Sequence, residues 1–503
     1  MQASTFEFNG DYIAGEFVQA PSPDLEITTR SPADQEDVVG RHRCQVSHVD
    51  QAVQAAAEAQ GAWKRLAAQD RANLLRRYQE IAKRRRAEIA NTIAREVGKA
   101  LWDANGEAGA IAAKVDLVLG DGAKWTEDRS LDAVPAELRF MPHGVMAVVG
   151  PFNFPGHLPN GQILPALALG NTVVFKPSDK TPNTAVLLAQ CFDEAGFPPG
   201  VVNVVQGGVA AAEALVRHAD VDGILFTGSA PVGRKILEAN LDSPGKVVAL
   251  ELGGKNACIV LDDANLEWAA RHIAFAAFAS AGQRCTATSR VFATPGVARP
   301  LAVRVAEIAK ALSVGHPLDE GVFMGPVIDA GSRDRLLKAQ SAASAAGFEL
   351  LAGTSEGERF EVAGREGFYV RPAVRWAPDA EIKVPGYTHD ELFGPDVAVY
   401  SVRDAAQAVD LLNATRYGLS GAVFTQSRDT FESLAMDLRV GVLNWNKGSA
   451  GASGKLPFGG VKDSGNHRPA GITMGLSCAF PQARLLCPPE LQSDLPTWPG
   501  FPA

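Results

Sequence analysis

A thiol, a carboxylate and a side-chain amide recur in this 503-residue chain where apolar runs give way to glycine-rich turns. Cys285 closes "AGQRC", after the alanine-rich stretch "WAARHIAFAAFAS" (268–280), which has the composition of a buried helix ending at the cysteine. Beside Arg284, and before the small polar "TATS", the thiol has one of two fates. It is a nucleophile in an electropositive, accessible setting, or an ordinary small core residue. Glu251 ends the run "ALEL" just before Gly253 and Gly254; a carboxylate short of water there gains a raised pKa and suits general-base work. Asn153 lies in "GPFNFPGHLPNG" (150–161), a loop stiffened by proline and aromatic residues. Its amide is an oriented donor for an oxyanion, or it satisfies turn backbone.

A second set of residues suits a nucleotide. "FTGSAPVGRKI" (226–236) places Gly228 and Gly233 five apart around Ser229, after a strand-like run and at a helix start. Glycines let backbone N–H groups approach a pyrophosphate, and a helix N-terminus favours its charge. The match is degenerate, with Ala230 at the middle glycine, and an ordinary tight turn has the same look. By that fingerprint Glu251, 23 residues on, would hold the adenosine ribose, a second reading of the same carboxylate. Lys176 and Asp179 in "VVFKPSDKTP" (173–182) offer a lysine and an acid at a strand's carboxyl end, where open α/β sheets bind ligands. A solvated strand end is the alternative.

The elements that must hold these residues follow from periodicity. Residues 48–119 carry apolar positions three and four apart and predict helices. "KRRRAE" (83–88), flanked by acids, reads as a solvated helix face rather than a nucleic-acid patch. From 143 on, "GVMAVVG", "NTVVFK", "VVNVV", "GILFT" and "KVVALEL" are short β-branched runs separated by helical patterns, which predicts βαβ units and a parallel sheet. A second such series runs from "NACIVLD" (256–262) to "VGVLNWN" (440–446). The reading is two α/β domains dividing near 252–255, an alternating arm at 130–142, and a proline-rich extended tail over 488–503.

Composition bounds the function. The chain is too long for one core, and 46% hydrophobic residues exclude a disordered class. Lys and Arg number 48 against 57 Asp and Glu, a net charge of −9, which argues against a sequence-independent grip on nucleic acid. Six cysteines without a CxxC pair suit a reducing compartment. Neither a secretory signal nor an apolar run of about 18 residues is seen, so a cytoplasmic protein without membrane contact or bound metal is expected.

Together, "GPFNFP", "KPSD", "FTGSAPVG", "LELGGKN", "AGQRC", "ELFGP" (391–395) and "PFGGVKDSG" (457–465) resemble, in order and spacing, the NAD(P)-dependent aldehyde dehydrogenase superfamily. The resemblance runs from about residue 6 to 487. It implies an α/β fold with a Rossmann-type NAD-binding domain (1–120 and 143–252), an α/β catalytic domain (253–446) and β oligomerisation or bridging segments (121–142 and 447–487). It further implies that Cys285 attacks an aldehyde, Asn153 and the Cys285 N–H hold the oxyanion, and Glu251 activates the water that releases an acid. The adenosine ribose then falls to Lys176 and Asp179, the pyrophosphate to Gly228, Ser229 and Gly233, and the nicotinamide ribose to Glu391, with Phe393 near the nicotinamide. An acid at 179 repels a 2′-phosphate, so NAD is expected over NADP. Relatives that pass the acyl group to coenzyme A lack the glutamate at 251, so hydrolytic release is expected, as is a homodimer or homotetramer.

Three less generic stretches, including "NWNK" (444–447) and "SGNHRP" (464–469), resemble the branch of that superfamily acting on N-succinylglutamate 5-semialdehyde in bacterial arginine catabolism. Gly448 departs from the proline often found there. Such a substrate carries two carboxylates beyond its aldehyde, so cations are expected near its tunnel. The candidates are Arg284, Lys447, His467 and Arg468, with Phe152 and Phe458 as apolar walls. Arg284 has the alternative role of tuning Cys285; Lys447 and Arg468 have that of surface or oligomer contacts. Another semialdehyde or aliphatic aldehyde is the first rival reading, and an inactive relative that kept the fold is the second.

Overall fold

The computed structural model describes residues 6–7, 10–131, 135–354, 360–362, 364–377, 379–492 and 498–500. Residues 48–119 form four helices: α1 (His48–Arg65), α2 (Ala68–Arg84), α3 (Arg86–Val97) and α4 (Leu101–Leu119). "KRRRAE" is solvated as expected, with only Arg85 half-buried, but it spans two helices rather than one. The chain breaks at Arg85 between α2 and α3, and the cations take separate acceptors: Lys83 on Glu80, Arg84 on Glu194, Arg85 on Glu88 and Gln190, and Arg86 on the Asn105 carbonyl.

The first large sheet has seven strands, in the order Val247–Glu251, Gly223–Thr227, Val145–Val149, Thr172–Lys176, Val202–Val204, Asp11–Ile13 and Glu16–Val18. The first five are parallel and the last two add an antiparallel hairpin. Helices α5 (His157–Ala168), α6 (Pro182–Ala195), α7 (Val209–Arg217) and α8 (Ala230–Ala239) connect the parallel strands. Every residue of "VMAVV", "TVVFK" and "GILFT" is buried, as a sheet covered on both faces requires. The strand order reverses between Val145–Val149 and Gly223–Thr227. A crevice opens at the carboxyl ends of strands at such a switch point. The chain leaves those two strands into the loops bearing Asn153 and Gly228.

The second sheet runs Glu349–Ala352, Ala373–Trp376, Asp396–Ser401, Thr288–Ala293, Asn256–Val260, Ser420–Phe424 and Val442–Trp445, parallel except at its first, edge strand. It is covered by α9 (Leu266–Phe278), α10 (Pro295–Ala311), α11 (Ala330–Ala345), α12 (Ala405–Asn413) and α13 (Arg428–Ala435). One sheet closes on Glu251 and the other opens on Asn256, so the chain crosses over within residues 252–255. The alternating segment becomes strand Ala136–Pro142, between Arg129–Leu131 and Ala479–Leu485 in an antiparallel sheet; residues 132–134 lie outside the described residues. Of the expected 488–503 tail, 493–497 and 501–503 also lie outside them. No described helix is long and apolar enough to cross a membrane.

Candidate active site

Helix α9 starts at Asn265, whose side chain accepts from Trp268 N at 3.0 Å, a cap worth about 1 kcal/mol. Contrary to expectation it does not reach Cys285. It ends at Phe278, and a tight turn over Ala279–Gly282 follows, with Ser280 and Ala281 at φ +54° and Gly282 at φ +67°. Side chains rarely adopt such angles, and a Cβ on Gly282 would also overlap the Gly394 carbonyl. The turn therefore depends on "FGP" as well as on its own glycine. Beyond it, Asn256 Nδ2 donates to the carbonyls of Cys285 (2.7 Å) and Ala287 (3.0 Å), while its Oδ1 accepts from Ser420 N. Asn153, 4% exposed, donates through Nδ2 to the Gln283 carbonyl at 2.9 Å. The amide from the first sheet thus meets the cysteine loop of the second.

Helix α4, which the sequence reading assigned no role, fixes both sides. Asp103, Glu107, Ile111 and Lys114 recur at spacings of four, four and three and share one face. Asp103 bonds Arg284 (2.9 Å) and the Ser280 hydroxyl (2.5 Å), tying down the cysteine loop. Burial alone would raise the Asp103 pKa, but Lys99, Arg284 and Ser280 outweigh it and hold the carboxyl below its usual range. Glu107, paired with buried Lys99 at 2.6 Å, accepts from Gly156 N (3.0 Å) and His157 N (3.1 Å) at the start of α5. That carboxylate sets the loop that carries Asn153. Removing one partner from a buried ion pair strands the other charge. Asp103→Ala is expected to cost about 3 kcal/mol of stability and to slow turnover, as calorimetry and steady-state rates would register.

Glu251 is 1% exposed, and neither of its oxygens has a protein partner among the described residues. Burial pushes its pKa well above the carboxylate range. It faces a cavity of about 110 Å3 with Gln162, Thr227, Phe458 and Pro469. Gln162 donates to the Thr227 hydroxyl at 3.1 Å, and Gln162 Oε1 is also unpartnered. The bond Leu252 N to Ser464 O, with Glu251 bridged to Gly465, seals the strand edge behind it. Part of the segment after 447 is therefore a wall of this cavity within its own chain. Burial, then Glu251, then Glu391 raise the Cys285 pKa. Arg284 does not offset them. Its guanidinium is drawn to Asp103, Ser280 and the rings of Phe154 and Phe275, which corrects both its expected roles, tuning the thiol and meeting substrate.

The nucleotide candidates gather across the cleft. Ser229 leads into α8 without a side-chain cap; Val232 N and Gly233 N both donate to the Ser229 carbonyl and Pro231 has no N–H, so Ala230 N is the first-turn donor left for an outside acceptor among the described residues. A Cβ on Gly233 would lie 2.7 Å from Leu252 Cδ2, so glycine there lets α8 pack close to the end of the first sheet. Lys176 ends its strand buried, donates to the Pro177 carbonyl at 2.6 Å, and has its pKa pulled down to about 8 by burial, with Asp179 opposing; Asp179 itself is exposed. Glu391 accepts from Gly254 N at 3.0 Å, and burial raises its pKa to about 7. A Cβ on Gly253 would overlap that carboxylate. Phe393 sits at φ +53° with its ring edge-on to Phe152, centroids 5.8 Å apart. These donors and acceptors, converging on a switch-point crevice, fit a dinucleotide.

The remaining cation candidates are not brought together. Lys447 is exposed, near His272 on α9. Gly448 follows because a Cβ there would lie 2.6 Å from the His272 carbonyl. His467 and Arg468 are exposed on a turn with φ +52° and +49°, and of that turn it is Pro469 and Ala470 that face the cavity. No cation named from the sequence lines it. Lys114 does, and no motif marked it.

Two α/β sheets thus meet where the Asn153 loop, the Cys285 loop and the buried Glu251 carboxylate come together, the architecture of a two-sheet dehydrogenase. The Aldehyde dehydrogenase family model matches residues 17–479, and the chain belongs to that family. It is 40% identical over 462 residues to the N-succinylglutamate 5-semialdehyde dehydrogenase of Chromobacterium violaceum, covering 91% of this chain and 93% of that one. The protein of the same name from Novosphingobium aromaticivorans is also 40% identical, over 91% and 95% of the two chains. Among solved structures, an NAD-dependent aldehyde dehydrogenase from Sinorhizobium meliloti superposes with TM-score 0.91 at 30% identity, covering 98% and 96%. A Thermus 1-pyrroline-5-carboxylate dehydrogenase with bound NAD gives 0.87 at 30%, covering 95% and 93%.

Proposed function

We propose that the chain oxidises N-succinylglutamate 5-semialdehyde to N-succinylglutamate with NAD, through a thiohemiacetal and then a thioester on Cys285. The names of its relatives support the substrate. The observation that carries the chemistry is the junction of Asn153, the Cys285 loop and the unpartnered Glu251 carboxylate. An aldehyde releases no hydride until a nucleophile makes its carbon tetrahedral. The Cys285 sulfur supplies that bond, and the Asn153 amide with the Cys285 N–H holds the oxyanion. Bound NAD supplies the hydride acceptor. Lys176, Asp179 and the Gly228–Gly233 loop hold its adenosine and pyrophosphate, and Glu391 and Phe393 position its nicotinamide end. Glu251 then takes a proton from water as the water attacks the thioester, which frees the acid and the thiol.

A panel of N-succinylglutamate, succinic and glutamic semialdehydes and a neutral aliphatic aldehyde, followed by product mass spectrometry, tests the substrate; equal kcat/KM values would remove it. Asp179→Ser is expected to raise NADP use on the order of tenfold, about 1.4 kcal/mol, by removing like-charge repulsion; NADPH formation rates report it. We further propose a homo-oligomer built through the exposed strand Ala479–Leu485, where Leu485 and Phe480 stand open. A reducing, cytoplasmic setting accords with six unpaired cysteines.

A further inference from the structure

We infer that the Lys114 ammonium, seated in the wall of the Glu251 cavity, binds a carboxylate that the aldehyde substrate carries away from its carbonyl. The inference rests on the substrate proposed above and names the residue that selects it. Lys114 projects from the same face of α4 that anchors the cysteine loop and the start of α5, so its base is rigid. It is only 8% exposed and forms no ion pair or hydrogen bond with the described residues. An ammonium buried without a partner is costly, and an anion from outside removes that cost. Burial draws its pKa down to about 8. Glu251 lines the same cavity and makes no ion pair or hydrogen bond with Lys114.

The surroundings favour an acid over an apolar chain. His157 lines the cavity beside Lys114, its Nδ1 buried and unpartnered. Burial and then Lys114 hold its pKa down to about 3, so the ring stays neutral and can donate a hydrogen bond. Glycines face the ammonium from two sides: a Cβ on Gly161 would lie 3.6 Å from Nζ, and one on Gly454 3.8 Å. Those missing side chains leave room for a planar carboxylate at the cation.

Lys114→Met keeps the length and removes the charge. The test compares kcat/KM for N-succinylglutamate 5-semialdehyde and for a neutral aliphatic aldehyde in both proteins. The ratio of acidic to neutral is expected to fall roughly 10- to 100-fold in the variant, the worth of a charge-assisted hydrogen bond, chiefly through KM for the acidic substrate. A wild-type preference for the acidic aldehyde that survives in Lys114→Met overturns the inference and leaves the substrate standing. A wild type without that preference overturns the substrate reading first.

Discussion

Replacing Cys285 by alanine is expected to reduce aldehyde oxidation by about 10^4-fold or more, the loss seen when a covalent nucleophile is removed, while NAD titration stays near wild type. The separation follows from where the residues sit. The thiol lies on the turn after α9, held by Asn256 and Asn153, whereas Lys176, Gly228 and Glu391 come from other strands and loops. A second readout isolates the sulfur. Cys44, Cys191, Cys258 and Cys478 are buried, Cys487 is exposed and Cys285 is intermediate. Alkylation should therefore reach Cys487 first and Cys285 next. Burial and the two carboxylates raise the Cys285 pKa, so its rate should climb with pH as thiolate forms. Activity that survives the alanine substitution would remove the covalent route.

What the sequence made legible was whatever is written in consecutive residues. The parallel strands read as β-branched runs because both sheets are covered on both faces, and α6, α7, α8 and α12 fall where their patterns place them. Helix α11 is hard to read because the face it buries, Leu336, Ala339, Gln340 and Ala343, has helical spacing but only one large apolar side chain to mark it. The strands Leu25–Ser31 and Asp34–Cys44 escaped notice because they are half-exposed and interrupted by register shifts. At the site, Cys285, Glu251 and Asn153 sit in motifs. Their supports do not: Asp103, Glu107 and Lys114 lie in the alanine-rich "DANGEAGAIAAK", where three ionisable groups on one face look like an ordinary solvated stripe. Arg284 misled for a related reason. Adjacency in sequence put it beside the thiol, but a side chain's partner is chosen by the turn it stands on, and that turn gives it to α4.

Glu251→Gln should separate the two halves of the reaction. One equivalent of NADH per active site is expected in a burst, followed by a steady state slower by roughly 10^2- to 10^4-fold, the range a general base contributes. Hydride leaves the thiohemiacetal without help from this carboxylate, but water cannot attack the thioester efficiently once its proton has no acceptor. The pH dependence has a definite sign. The Glu251 pKa is raised, so in the wild type the base form appears only as pH climbs and steady-state turnover rises with it. The same shift makes the folded state bind more protons than the unfolded one, so this group's contribution to stability falls as pH rises above the ordinary carboxyl range. A glutamine amide in its place cannot ionise and escapes that loss. The variant should therefore unfold at a higher temperature than wild type at alkaline pH, with the gap closing towards the ordinary carboxyl pKa. A variant that gains heat stability and loses turnover over the same pH range shows that the buried, unpartnered carboxylate is strained by its place and used for that reason. Normal steady-state turnover in Glu251→Gln would assign the base elsewhere.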